Sequence, residues 1–389
     1  MNNAFFLAFQ YLRATKLRFV ILVVCTAIAL SLPINTFVAV NLLSDKLTER
    51  GEQTPILIGK KGNEFALTMN ALYFRGTVKE TVSMDVYQDM SDIYEGMVLP
   101  LYIAHSASQT PIVGSNIDYF ETRNLQLNNG RYYIGLGEVV VGAQAAAEFN
   151  LDLGDSVRSD LQNLYNIAGS YPMSLKVVGV LEPSGTSDDA VMFTDLKTVW
   201  ALDGLLHGHD NVTAETALNG ESTDENLEAT AAIFMFSELT DSNREEFHLH
   251  GSESEMPISS VALFPYNQLE KDKLLGRMAL SEDLQAVQPI EVVDDILSIV
   301  LKLQQGLYVY YGMLLISTIF FYILVVHLSL QLRQGELILI RRIGGSKQTI
   351  RNLILAEIVL VTLASILMTI VFSWVFMLLI NVGLSQLSG

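Results

Sequence analysis

The sequence predicts an α+β membrane protein: three transmembrane helices, with a large mixed α/β domain inserted between the first and the second. Three observations predict it. Three apolar runs, Phe19 to Val40, Leu307 to Leu330 and Leu353 to Val382, meet the roughly 20 residues a helix needs to cross a bilayer, and no comparable run lies between the first two. Charge divides along the same lines. Arg13, Lys16, Arg18, Arg333, Arg341, Arg342, Lys347 and Arg351 flank the runs, whereas residues 42–302 hold 16 basic residues against 40 acids, a net charge of −24. Basic residues beside membrane spans stay in the cytoplasm, so the N-terminus is inside, 42–302 outside, 333–351 inside and the tail after Val382 outside. Finally, residues 42–302 break into short β-type runs closed by glycine or proline.

Taken in order, residues 1–18 read as a cytoplasmic interfacial helix, in which Phe5, Phe9 and Leu12 are expected to face lipid. The first span covers 19–41. Its apolar run exceeds the roughly 7–15 residues of a signal peptide and no small-x-small site follows Val40, which favours a retained anchor. Cys25, the only cysteine, lies within this span, so the outer domain has no disulfide.

The domain at 42–302 opens with Leu43 and Leu47 four residues apart and closes with Val293, Ile296, Ile299, Val300 and Leu303 at helical spacing, so helical stalks flank it. Between them, PILIGKKGNEF, VVVGA, SLKVVGVLEPSG and AVMFTDL read as strands, AQAAAEFNL as a short helix and 207–226 as an exposed loop. So acidic a domain argues against nucleic-acid binding, which favours a basic face.

The second span, 303–332, carries Tyr308, Tyr310 and Tyr311 at the outer aromatic belt, and His327 close enough to the inner interface to be hydrated. Residues 333–352 are the most informative stretch. In RQGELILIRRIGGSKQTIR, Leu337, Ile338, Ile340 and Ile343 mix with charges as in a short amphipathic helix that Gly344 and Gly345 terminate. This segment is either a contact for another protein or an ordinary basic loop that obeys topology. The third span, 353–382, is roughly 45 Å long as a helix, too short to fold into two spans, and is followed by a tail at 383–389. Thr362, Ser365, Thr369 and Ser373 form a small-polar stripe on it, suited to close helix approach.

Catalytic signals are sparse. No phosphate-binding G-x-x-x-x-G-K-[ST] is present, so ATP chemistry would belong to another chain. No Ser/His/Asp constellation with recognisable spacing appears. His207 with His209, and His248 with His250, are H-x-H pairs that would put two imidazoles on one face of a strand, but nothing assigns them to strands, and loop histidines are the plainer reading. Asp188 and Asp189 suggest a cation site or, more simply, turn chemistry.

The cytoplasmic segment GELILIRRIGGSKQTIRNLILAE resembles the coupling region of MacB/FtsX-like permeases of ABC transporters, the type VII, mechanotransmission-type family: an acid, an aliphatic run, arginine, a small-residue turn, then Ser and basic residues. Glu336, Arg341, Gly344, Gly345, Ser346, Lys347 and Glu357 occupy matching positions. NNGRYYIGLGEVVVGAQAAAEFNLDLGDSV and KVVGVLEPSGTSDDAVMFTDLKTVW are similar to the family's periplasmic signature. The resemblance implies a periplasmic domain of two subdomains, the inserted one covering about 116–206, in a bacterial inner-membrane permease that is not itself an enzyme. ATP and Mg would be bound by a partner ABC ATPase that contacts Glu336, Leu337, Ile340, Arg341, Arg342, Ile343, Gly344, Gly345, Ser346 and Lys347. It further implies no cofactor in this chain, a second permease copy, identical or paralogous, and, in some members, a periplasmic adaptor and outer-membrane channel. Cargo would be peptide, lipoprotein or drug-like; a membrane-anchored sensor or an FtsX-like activator of an envelope hydrolase are the alternatives. Family permeases commonly have a fourth span, which this sequence lacks, either naturally or by truncation.

Overall fold

The computed structural model describes residues 2–78, 80–160, 173–207, 247–249, 251–344 and 346–387. The helices are α1 (Asn2–Ala14), α2 (Lys16–Glu52), α3 (Glu64–Tyr73), α4 (Met84–Ile93), α5 (Asp118–Thr122), α6 (Ala143–Phe149), α7 (Leu196–Leu202), α8 (Gln268–Ala279), α9 (Pro289–Leu332), α10 (Gln334–Arg342) and α11 (Lys347–Leu387). The strands are β1 (Ile56–Lys60), β2 (Val82–Ser83), β3 (Gly96–Ala107), β4 (Thr110–Gly114), β5 (Leu127–Gly130), β6 (Glu138–Val141), β7 (Ser156–Arg158), β8 (Ser174–Leu181), β9 (Met192–Thr194), β10 (Leu206–His207), β11 (His248–Leu249), β12 (Pro257–Ile258), β13 (Ser260–Pro265) and β14 (Leu284–Val287).

Three helices are long and apolar enough to cross a membrane, within Lys16–Glu52, Pro289–Leu332 and Lys347–Ile380. The chain divides into a helical unit, residues 1–47 with 295–384, and an α/β unit formed by 48–294. Residues 42–52 and 289–302 are helical, since α2 runs on to Glu52 and α9 starts at Pro289.

In the helical unit α1 differs from expectation. Leu12 is buried with Leu22, Val23 and Val361, and Ala8 with Leu353 and Ala356, with Phe5 packed beside them; of the large apolar side chains described in α1, Phe6, Leu7 and, as expected, Phe9 are exposed. Apolar side chains occupy more than one face of α1, so its pattern cannot say which face meets protein. Tyr311 also turns inward, buried and 2.7 Å from the Thr36 hydroxyl, while Tyr308 and Tyr310 are exposed.

The α/β unit is built on one sheet, ordered β14-β1-β13-β3-β4-β9-β6-β8-β5, with β7 also pairing to β8. The strands from 127–194 make one half of this sheet and those from 56–114 and 260–287 the other. They meet at the parallel pair β4 and β9, in register at Val113 and Phe193. Both faces are covered, and for that reason Glu138–Val141 is buried throughout instead of alternating. Val139 and Val141 enter a core with Ile56, Ile58 and Trp200; Val140 enters the opposite core with Leu57, Tyr119, Phe120 and Phe193. Fully buried Trp200 directs its indole N–H to the Pro257 carbonyl at 2.8 Å, satisfying its polar atom.

Ahead of β6, the Glu138 carboxylate organises the loop at 131–137. Arg131 donates to its two oxygens from Nη1 at 2.7 Å and Nη2 at 2.6 Å, and the backbone N–H groups of Ile134 and Gly135 donate at 3.0 and 3.1 Å. The Arg131 bonds, helped by these amides against the cost of burial, hold the carboxyl down at about 2. Because the folded value is depressed, the stabilisation is complete above about pH 4.5, the unshifted value, and is lost as pH falls towards about 2. Urea midpoints of the full chain should fall through that window, and Glu138→Gln should lower the midpoint at neutral pH and flatten the fall.

Candidate functional site

The short helix α10 and its mounting form the candidate site. Leu330 and Ser329 still accept the Arg333 N–H at the end of α9, each at 3.2 Å, and the Arg333 carbonyl accepts the Leu337 N–H at 3.0 Å, so the chain bends at Arg333 and resumes as α10. Ile343 N–H bonds the Leu339 carbonyl at 3.1 Å, after which Gly344 takes φ +101°, a conformation open to glycine and costly for residues with a Cβ. Ser346 then caps α11, its Oγ accepting the Thr349 N–H at 3.1 Å. This gives the serine of the predicted coupling motif a structural duty.

Arg341, Arg342, Ile343, Gly344, Ser346 and Lys347 are exposed, and Leu337 is half-buried. Ile343, at 79 % exposure, is joined by the exposed Ile338 and Leu339, neither of which was among the predicted contacts. Leu339 and Ile343 stand one turn apart, so α10 presents an apolar strip beside two arginines. Gly345, and the side chains of Glu336 and Ile340, lie outside the described residues.

Arg333 has a different role from its neighbours. Its Nη1 donates to Glu357 Oε2 at 3.0 Å, its guanidinium lies 3.4 Å from the centre of the Tyr11 ring, and its side chain is 10 % exposed. Tyr11 in turn stands 3.3 Å from Ser329 Oγ. The bend between α9 and α10 is therefore fastened to α1 and α11. The available signal in the sequence was Glu357 itself: an acid in an apolar helix requires a partner.

The small-polar stripe divides. Ser365 and Thr369 are buried, Thr369 lying 3.4 Å from the Ala27 carbonyl of α2, and each hydroxyl also donates to the carbonyl four residues back. Thr362 is exposed and Ser373 half-buried. At 100° per residue Thr362 lies on the same face as the other three, so its exposure follows from its position along α11 and not from its angle. The packing partner of this face is the chain's own first long helix.

Residues 45–232 match the MacB-like periplasmic core domain family. This region of the chain is thus a MacB-like periplasmic core domain, of the kind found in MacB/FtsX-like ABC-transporter permeases. Solved structures similar to it include the periplasmic region of MacB from Actinobacillus actinomycetemcomitans, 14 % identical over 64 % of this chain and 97 % of that one, with TM-score 0.35. Another is the extracellular domain of the noncanonic ABC-type transporter YknZ from Gram-positive bacteria, 12 % identical over 60 % of this chain and 98 % of that one, with TM-score 0.31. No curated protein matches.

Within the MacB-like domain the two aspartates at the β8–β9 turn have separate duties. Asp189 serves the turn, accepting the N–H groups of Ser184 at 2.8 Å and Gly185 at 2.7 Å. Asp188 is taken by the Arg50 guanidinium at 2.6 Å, so the position read as a possible cation site holds an organic cation. His207 stands opposite His248 in the antiparallel pair β10–β11, which brings together one histidine from each H-x-H motif, a pairing that their sequence separation hid. His209, His250 and the loop at 208–226 lie outside the described residues, and among the described residues no group of three His, Cys, Asp or Glu side chains is arranged to hold a metal.

Proposed function

We propose that this chain is the transmembrane permease subunit of an ABC transporter, coupling ATP hydrolysis by a separate ATPase subunit to conformational work in the periplasm. The MacB-like periplasmic core domain at residues 45–232 carries the reading. Supporting it are three helices long enough to span and, between the second and third, the exposed helix Gln334–Arg342 with Leu339, Arg341, Arg342 and Ile343 at its surface. Clustered basic residues at the same ends place α10 in the cytoplasm, where an ATPase can grip it, and the acidic domain across the inner membrane. ATP and Mg are held by that partner, and two permease copies, identical or paralogous, match the two nucleotide-binding subunits of an ATP sandwich. The work done is export or extraction of a peptide, lipoprotein or drug-like cargo.

Purification of the full chain in mild detergent, followed by identification of co-purifying proteins, tests this. An ABC ATPase whose turnover changes on reconstitution with the chain is the expected result. Recovery of a kinase without any ATPase would replace the permease reading by that of an anchored sensor.

A further inference from the structure

The last turn of α2 ends in a buried polar network that a stalk helix does not need for solubility or packing. Arg50, two residues before the end of the helix, is 5 % exposed. Its Nη1 and Nη2 donate to Asp188 Oδ2 and Oδ1 at 2.6 and 2.9 Å, Nη2 also donates to the Tyr119 hydroxyl at 3.2 Å, and Nε donates to the Leu72 carbonyl at 3.2 Å. Tyr119 donates to Asp188 Oδ1 at 2.7 Å and Thr186 Oγ1 to Asp188 Oδ2 at 2.8 Å, so both carboxylate oxygens are saturated. Immediately beyond the helix, Arg123 donates to the Gln53 carbonyl at 3.3 Å and to Thr54 Oγ1 at 2.6 Å. Burial alone would push the Asp188 carboxyl up, but the adjacent Arg50 outweighs it and keeps the group well below the usual carboxylate range.

Stability does not explain such a pair, because two buried charges are often matched or surpassed by apolar residues of the same volume. Geometry explains it better. The planar guanidinium fork meets a carboxylate, a carbonyl and a phenol at once, fixing the rotation and height of the helix end in a way that interchangeable apolar contacts do not. The contact joins residue 50 to the Ser184–Ala190 turn between β8 and β9, in the half of the sheet formed by 127–194. That turn is itself rigidly backed: a Cβ on Gly142, at the start of α6, would come within 2.4 Å of the carbonyl oxygens of Asp188 and Asp189. Ser187 adds a bond to the same Leu72 carbonyl at 2.8 Å.

We propose that the Arg50–Asp188–Tyr119 network is the joint through which displacement of α2 is delivered to the β8–β9 turn, with Arg50 and Asp188 as positioning residues. The functional half of this inference rests on the permease reading; the existence of the joint does not.

Amide hydrogen exchange on the full chain in nanodiscs, alone and with its ATPase, separates the two. Without nucleotide, Asp188→Asn and Arg50→Lys should speed exchange at least tenfold at both 48–54 and 184–190 while β1 and β13 keep wild-type protection. Unchanged exchange at 48–54 overturns the joint, whatever the protein's function. With the ATPase bound, ATP plus vanadate should alter exchange across 184–190 in wild type. The same addition should leave that segment unaltered in Asp188→Asn and in the apolar pair Arg50→Met/Asp188→Leu, at equal ATP turnover. A wild-type response in the apolar pair would reduce the network to packing and overturn the proposal. A wild-type chain that binds no ATPase would fail the permease reading instead, with the nucleotide-free exchange still deciding the joint.

Discussion

Arg341→Glu and Ile343→Asp should each weaken ATPase recruitment by about 30-fold or more, the loss of one interface anchor of about 2 kcal/mol. Both side chains are exposed on or just after α10. Reversing the charge of Arg341 turns an attractive contact repulsive, and an aspartate at 343 places a carboxylate where an apolar side chain at 79 % exposure now awaits cover. Both residues belong to the helical unit, so the melting of the α/β unit and the yield of membrane-inserted protein should match wild type. Binding of the purified ATPase to nanodisc-embedded variants measures the effect. Wild-type affinity in both variants would leave the segment as a topology signal alone and withdraw the main local support for the permease reading.

Ser365→Leu/Thr369→Leu should separate α11 from α2 in the helical unit. Ser365 is fully buried and Thr369 lies 3.4 Å from the Ala27 carbonyl, itself fully buried, so there is no space for two isobutyl groups. Each inserted side chain costs roughly 1–3 kcal/mol, and lipid offers no hydrophobic drive to restore the pairing. The expected outcome is a sharp fall in the thermal midpoint in detergent, read by size-exclusion chromatography after heating. Ser365→Ala, which preserves the close approach, should fall far less. Thr362→Leu is the informative control: exposed at its position on α11, it should leave the single chain's stability unchanged, and a loss as large as that of the double variant would show that a second chain covers this position.

The parts of this protein that its sequence determined are those written in contiguous residues. Hydropathy over some 20 residues locates the three long helices, because crossing a bilayer demands an uninterrupted apolar surface. Helical spacing and a terminal glycine locate α10, where Gly344 takes the positive φ that ends it. The run Glu138–Val141 reads as a strand because β-branched residues suit a sheet buried on both faces.

What only the tertiary structure decided concerns residues far apart along the chain. Arg50 looks like one more charge on a solvated stalk until Asp188, 138 positions later, is brought against it. Arg333 reads as a topology signal until Tyr11 and Glu357 enclose it. Leu12 belongs to an apolar pattern that fits lipid or protein equally well, and packing against Leu22, Val23 and Val361 settles the choice. The physical reason is the same in each case: periodicity and composition record how polar a residue's surroundings must be on average, whereas an ion pair or a helix contact depends on which other segment the fold places beside it.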